Sequence, residues 1–512
     1  MANRRTLALA FAVFCFFQGL YGLTAAGRVD HVADTFEVYL QTESLWDRGS
    51  LAIPQGPPGV VFGRVGRDGK PYAPYGPLTA FAALPHHAVA RAIAAAGVPR
   101  ERAPAAWAML VAAITSLASA TWAALAIAGT FVAARAFGAS EARALAIATL
   151  LGAASLLWPY GTVFYSEGLA AAFVAWALAA EGRGKRGWAA LAIAALLLVK
   201  VSNTIVWPAF AALAFLRARS ADPAGGTRGS LRAVVPYALA ALAAGSIHAA
   251  WNAHRFGDAF QFGYDWSEFL RPGEKPRAFL LSELPRGLFG LLLSPGKSLL
   301  LYAPPVVLAC WRIPAAWRER RPLATAWTVG LASSLLFYGS YLYWEGGYAF
   351  GPRHLVPLLP LLVLPLACGP APRRAALVCA AVVGIAVQLL GVSVSFLEDQ
   401  ALGQDRSNQS YYEIRDDVPA GRALNHYRLD YEPFTRYPRL LHRHLTGAAR
   451  ETIGFGVELL PLHLDRVRRL APGATAIPAA LPWAIWAVFL LPLGWGGLAL
   501  ARARRGRGAA AD

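Results

Sequence analysis

Apolar runs of membrane-spanning length recur from one end of this chain to the other, and no other feature constrains its fold so strongly. A helix needs about 20 mostly apolar residues to cross the hydrocarbon core of a bilayer. Within that core every backbone N–H and C=O must be paired inside the protein, which repeated apolar runs achieve by becoming helices. The runs fall at roughly Thr6–Ala25, Pro104–Ala134, Ala144–Trp158, Glu167–Ala180, Trp188–Val199, Asn203–Leu216, Ala233–Trp251, Ser298–Trp311, Leu323–Tyr343, Leu355–Cys368, Ala375–Phe396 and Ala479–Leu500. A single leader on a soluble domain does not account for them. The expectation is an all-α polytopic membrane protein of about 11–13 transmembrane helices. Composition agrees: 56% of residues are hydrophobic and only 15% charged, where a soluble domain carries roughly a quarter charged.

Charge placement sets the sides. Take Met1 as cytoplasmic and alternate sides along the runs. Basic clusters such as Arg183, Lys185 and Arg186, then Arg318, Arg320 and Arg321, then fall in short cytoplasmic segments. Nearly all of the formal net charge of +18 lies on that side, as the positive-inside rule requires. The basic excess is thus a topology signal, and no nucleic-acid partner is needed to explain it. Residues 26–103 and 397–478 become large outer loops, with a medium one at about 252–297. Residues 1–396 form the main transmembrane domain, and 479–512 a last helix with a basic cytoplasmic tail. Cys15, Cys310, Cys368 and Cys379 sit in or beside apolar runs and read as structural thiols, without metal-ligand spacing.

The informative charges are those left at the outer ends of apolar runs, where an ionisable group is costly. Asp34 opens a short amphipathic helix reaching Leu45, on which Tyr39 and Glu43 share a face. Two readings stand for Asp34: an N-cap, or a carboxylate just above the membrane beside a cavity. Tyr72, Pro74, Tyr75, Gly76 and Pro77 make a rigid aromatic turn before a helix too short and polar to span, which suits the interface. His86 and His87 on that helix read as interfacial polar residues. Glu167 opens an apolar helix, favoured there either by the helix dipole or by function. In LLLSPGKSLLLY, Lys297 mimics a P-loop lysine, but Leu291 stands where the first glycine belongs. Lys297 is open to two readings, snorkelling or holding a lipid phosphate. The loop YWEGGYAFGPRH carries Glu345, Arg353 and His354, and Arg suits bidentate phosphate contacts.

Together these stretches resemble the GT-C superfamily of integral membrane glycosyltransferases, which use lipid-phosphate-linked sugars. Bacterial examples include aminoarabinose and protein mannosyl transferases. The resemblance covers most of Thr6 to Phe396. It rests on the layout and on WNAHRFGDAFQFGY, LLLSPGKSLLLY and WEGGYAFGPRH, which are similar to loose motifs of bacterial members. It implies a bacterial inner membrane location with the active site on the periplasmic face, an inverting hexosyl or pentosyl transfer, and a polyprenyl-phosphate-linked sugar as donor. Asp34 would be catalytic base or metal-site carboxylate, and Glu167 a second cavity acid. Lys297, Arg353 and His354 would hold the donor phosphate, with Tyr72, Tyr75 and Glu345 lining the substrate cavity. Asp34 and Glu167 would hold a divalent metal ion if one is used. The acid pair common in that first loop reads Asp34-Thr35 here, leaving Glu37 as a candidate substitute. Residues beyond Phe396 match nothing in that pattern. A flippase or transporter of a lipid-linked glycan, or a non-catalytic envelope-assembly protein, are the competing readings. Transporters usually show internal repeats and charges along a path, whereas this chain has no evident repeat.

Overall fold

The computed structural model describes residues 2–53, 63–263, 279–347, 349–396, 398, 433–449 and 452–508. Residues 399–432 of the second large loop lie outside the described residues, as do Tyr264, Asp265 and Trp266 of the aromatic stretch. The regular structure among the described residues is helical but for one small antiparallel strand pair, Arg64–Val65 with Pro71–Tyr72, and three isolated bridges.

Among the described residues, six helical stretches are long and apolar enough to cross a membrane. They are Arg4–Leu23, Pro104–Ala136, Val201–Ala221, Gly226–Phe256, Arg374–Ser393 and Leu481–Arg505. Their outward faces fit lipid: Leu231, Val235, Leu239 and Leu242 form an exposed apolar stripe at helical spacing along Gly226–Phe256. The chain is an all-α polytopic membrane protein, with fewer full-length helices than the apolar runs suggest. The Glu141–Ala153, Glu167–Gly182 and Arg186–Val199 helices have 13, 16 and 14 residues. At 1.5 Å per residue even a 16-residue helix spans only ~24 Å of a ~30 Å core.

Prolines account for other breaks. The run expected as Leu355–Cys368 carries Pro357, Pro360 and Pro365, and folds as a 3₁₀ turn (Arg353–Leu358), a short helix (Leu359–Val363) and a second 3₁₀ turn (Leu364–Ala367). Every residue from Leu355 to Ala367 is buried. Irregular backbone at membrane depth is tolerated where protein, not lipid, surrounds it. Arg143 completes this segment. Its guanidinium donates to the carbonyls of Gly369 and Cys368, both at 2.6 Å, of Pro370 at 3.3 Å, and of Leu366, covering acceptors that the broken helix leaves unpaired.

The core of the bundle pairs Ala118–Ala136 with Glu167–Gly182, and the Ala2–Leu23 helix packs on both Ala118–Ala136 and the C-terminal Leu490–Gly508 helix. The terminal contact is close because glycines permit it: a Cβ on Gly496 would lie 2.5 Å from the backbone nitrogen of Phe16. The loop expected between residues 26 and 103 carries two helices, Ala33–Arg48 and Leu78–Gly97, which pack on each other. Arg91 ties them through Asp47 at 2.7 Å. His86 and His87 face Thr121 and Thr115 at 2.9 and 3.1 Å, so both imidazoles are spent on helix packing.

Candidate active site

Asp34 sits in the first turn of the Ala33–Arg48 helix, but it does not cap it. The N-cap is Val32, and the turn is closed by Thr35, whose hydroxyl donates to the Val29 carbonyl at 2.5 Å and accepts from the Val32 N–H at 3.3 Å. The capping reading of Asp34 therefore fails. Its carboxylate is directed elsewhere: Arg353 Nη2 donates to Oδ2 at 2.5 Å, and the Tyr75 hydroxyl also donates to it. Burial pushes the Asp34 carboxyl up, but the Arg353 and Lys200 cations outweigh burial and hold it down at about 2.

Arg353 bridges. Its Nε lies 3.4 Å from Glu167 Oε1, and its guanidinium lies over the Tyr165 ring, 5.0 Å from the centroid. Glu167 opens the Glu167–Gly182 helix, where the dipole favours an anion. Its side chain is 7% exposed, against 9% for Arg353 and 32% for Asp34. Glu167 Oε2 is buried and has no hydrogen-bond partner among the described residues. One guanidinium thus joins two carboxylates from separate helices, and the more open of them faces a cavity.

That cavity is small and partly open. Asp34, Tyr75, Tyr165, Glu167 and Lys200 line it, with Thr35, Val38, Phe164 and Ser166. Lys200 is the residue that sequence reasoning missed. It follows the Arg186–Val199 helix, and its Nζ lies 5.7 Å from the centre of the Tyr75 ring. The aromatic turn reaches it because Gly76 has no side chain: a Cβ there would lie 1.9 Å from the Leu198 carbonyl oxygen. A signal for Lys200 existed in the sequence. It is a lone cation in a short turn assigned to the outer face, against the positive-inside trend.

The remaining expected site residues lie outside the cavity wall. Lys297 is buried and donates to the Ala349 carbonyl at 2.6 Å and the Gly347 carbonyl at 3.4 Å. The Tyr160 hydroxyl donates to the next carbonyl, Phe350, at 3.0 Å. Both groups pin the loop that delivers Arg353. Gly351 turns that loop with φ +64°, a left-handed conformation, where a Cβ would meet Leu156 and Tyr302 at 2.8 Å. His354 stacks on Tyr338 with ring centroids 4.5 Å apart. Glu345 is buried. Tyr72 donates to Asp68 at 2.9 Å and packs edge-on against Trp251.

Glu37, one turn beyond Asp34, is buried too, and its Oε1 accepts from the Gly63 N–H at 2.9 Å. Burial pushes its carboxyl up to about 8, the Gly63 N–H partly opposing and nearby Asp34 adding to the rise. It is a buried acid on the same helix as Asp34 and is not among the residues lining the cavity.

A second charged cluster anchors the C-terminal part of the second large loop. Arg28 lies 2.8 Å from Asp30 and 3.4 Å from Glu458, and also donates to the Gly454 carbonyl. His31 lies 3.1 Å from Glu458. Burial raises the Glu458 carboxyl, but His31 and Arg28 more than reverse this and hold it at about 2. Phe396 stacks on His31 at 5.3 Å and on Tyr165 at 6.2 Å, so this cluster abuts the cavity wall.

Comparisons with protein-family models, curated proteins and solved structures give no match to this chain, so the reading of the site rests on its own geometry.

Proposed function

We propose that this protein is a membrane glycosyltransferase of the GT-C kind, moving a sugar from a polyprenyl-phosphate donor to an envelope acceptor at the non-cytoplasmic face. The observation that carries the reading is that Asp34, Glu167 and Lys200 line one partly open cavity, with Arg353 paired to both carboxylates. The four come from distant parts of the chain, and Asp34 and Glu167 each sit in the first turn of a helix.

The chemistry suits those groups. The donor carries its own leaving group. The acceptor oxygen forms a bond to the anomeric carbon as the bond to the phosphate oxygen breaks, and the polyprenyl phosphate leaves with that electron pair. The acceptor hydroxyl gives its proton to a carboxylate. Asp34 is the more open of the two acids and takes that role. Glu167 keeps Oε2 unpartnered, which suits orienting the acceptor hydroxyl. Lys200 receives the donor phosphate and stabilises its growing charge. Drawing Lys200 toward phosphate also lifts the basicity of Asp34, because one of the cations holding its carboxyl down is then shared. Lys297, spent on backbone carbonyls, supports the Arg353 loop.

The test is mass spectrometry of envelope glycolipids and glycans from cells lacking the protein, and from the same cells supplied with the wild type or with Asp34→Asn. The expected result is one sugar missing from the deletion strain, restored by the wild type and still missing with inserted but inactive Asp34→Asn. Restoration by Asp34→Asn would refute the assignment of the base. Precursor accumulating on the inner leaflet would instead identify a flippase.

A further inference from the structure

We infer that the Arg353 guanidinium is the built-in cation of this site, filling the place between Asp34 and Glu167 that a divalent metal ion would otherwise take. The inference rests on the proposed function for the catalytic meaning of that place, but its structural content stands on geometry alone. Arg353 reaches Asp34 Oδ2 at 2.5 Å and Glu167 Oε1 at 3.4 Å. Each of the two carboxylates thus turns an oxygen toward the same guanidinium.

A divalent ion would have to share or evict that contact. Mg²⁺ demands near-octahedral oxygen ligation at about 2.0–2.1 Å. An ion bridging the two carboxylates would then lie against a fixed positive charge. Guanidinium is always charged, and unlike lysine it does not escape by losing a proton. Arg353 has little room to withdraw. Its guanidinium lies on the Tyr165 ring, 5.0 Å from the centroid. Its loop is held by Lys297 and Tyr160. Charge points the same way. Lys200 adds a second cation at the cavity wall, so two carboxylates face two cations and no surplus negative charge remains to attract a metal ion. A guanidinium hydrogen-bonded to Asp34 and ion-paired with Glu167 also does what a metal does for positioning: it holds both acids beside one cation. Arg353 thereby acts as a positioning residue for both carboxylates.

The experiment titrates Mn²⁺ alone into the detergent-solubilised full chain and follows loss of the free-ion electron paramagnetic resonance signal. Sugar transfer is not needed, so the outcome is independent of whether the glycosyltransferase reading holds. The wild type is expected to take up no Mn²⁺ that depends on Asp34, and its thermal unfolding should be unchanged by chelator. Arg353→Gln keeps a polar side chain but removes the charge, and should gain one Mn²⁺ site that Asp34→Asn removes again. One Mn²⁺ per wild-type chain, lost in both Asp34→Asn and Glu167→Gln, would overturn the inference. So would a folded Arg353→Gln that gains no Mn²⁺. If Arg353→Gln does not fold, Arg353→Lys retains a charge without the fork, and the wild-type comparison with Asp34→Asn still decides.

Discussion

Removing the positive charge of Arg353 while keeping its apolar stem tests the site most directly as a piece of physical chemistry. In Arg353→Met the two carboxylates lose their common partner. Glu167 is then a buried anion facing no guanidinium, since its side chain is only 7% exposed. Breaking a buried pair by deleting one partner costs about 3–5 kcal/mol. Lys200 remains as a second cation near both acids, and Asp34 is also a third exposed, so water softens the loss further on the Asp34 side. The expected cost is about 2–4 kcal/mol, most of it from stranded Glu167. The assay is thermal unfolding of the purified full chain in detergent, read at one pH for wild type, Arg353→Met, Glu167→Gln and the double variant. Glu167→Gln alone should be milder, because Arg353 still holds Asp34 at 2.5 Å. In the double variant the stranded charge is gone, so part of the Arg353→Met loss should be recovered, with a coupling of at least about 1 kcal/mol. An Arg353→Met variant that unfolds with the wild type, or strictly additive effects in the cycle, would refute the idea that one guanidinium neutralises both acids.

Other consequences are equally direct. Lys200→Met should raise the donor KM about tenfold or more with a smaller change in kcat, since a lost charge-assisted contact is worth about 1.5–3 kcal/mol; an unchanged donor KM would count against phosphate recognition there. Glu37 has its carboxyl raised to about 8 from an ordinary 4.5, so the native state binds that proton more tightly than the unfolded one. Its contribution is full below about pH 4.5 and is lost as pH rises through about 8. Glu37→Gln should therefore flatten the fall in unfolding temperature between those limits, and an unaltered pH profile would contradict this. Arg143→Lys should lower thermal stability by about 1–3 kcal/mol, because one ammonium does not reproduce the planar fork that serves the Leu366, Cys368, Gly369 and Pro370 carbonyls; wild-type stability would show those contacts to be replaceable.

The sequence by itself determined the solvent of this protein and the kind of element it uses. Apolar runs in lipid leave the backbone little choice but the helix. It also marked Asp34, Glu167 and Arg353, because an ionisable group at the end of an apolar run is costly wherever it points. Hydropathy reads the cost of a charge, but it does not read the partner that offsets it. The pairing of Asp34 with Arg353 across 319 residues is set by which helices are neighbours, and by a glycine turn at Gly351. Only tertiary structure decided that Lys297 is consumed by the Ala349 and Gly347 carbonyls while Lys200 reaches the cavity. In sequence both are lysines at the edge of an apolar run. The same holds for span lengths. Leu355–Cys368 reads as one more apolar crossing, yet its three prolines break it into turns that only a fully buried position allows. Local chemistry fixes what each residue costs in a membrane, and packing fixes which neighbour meets that cost.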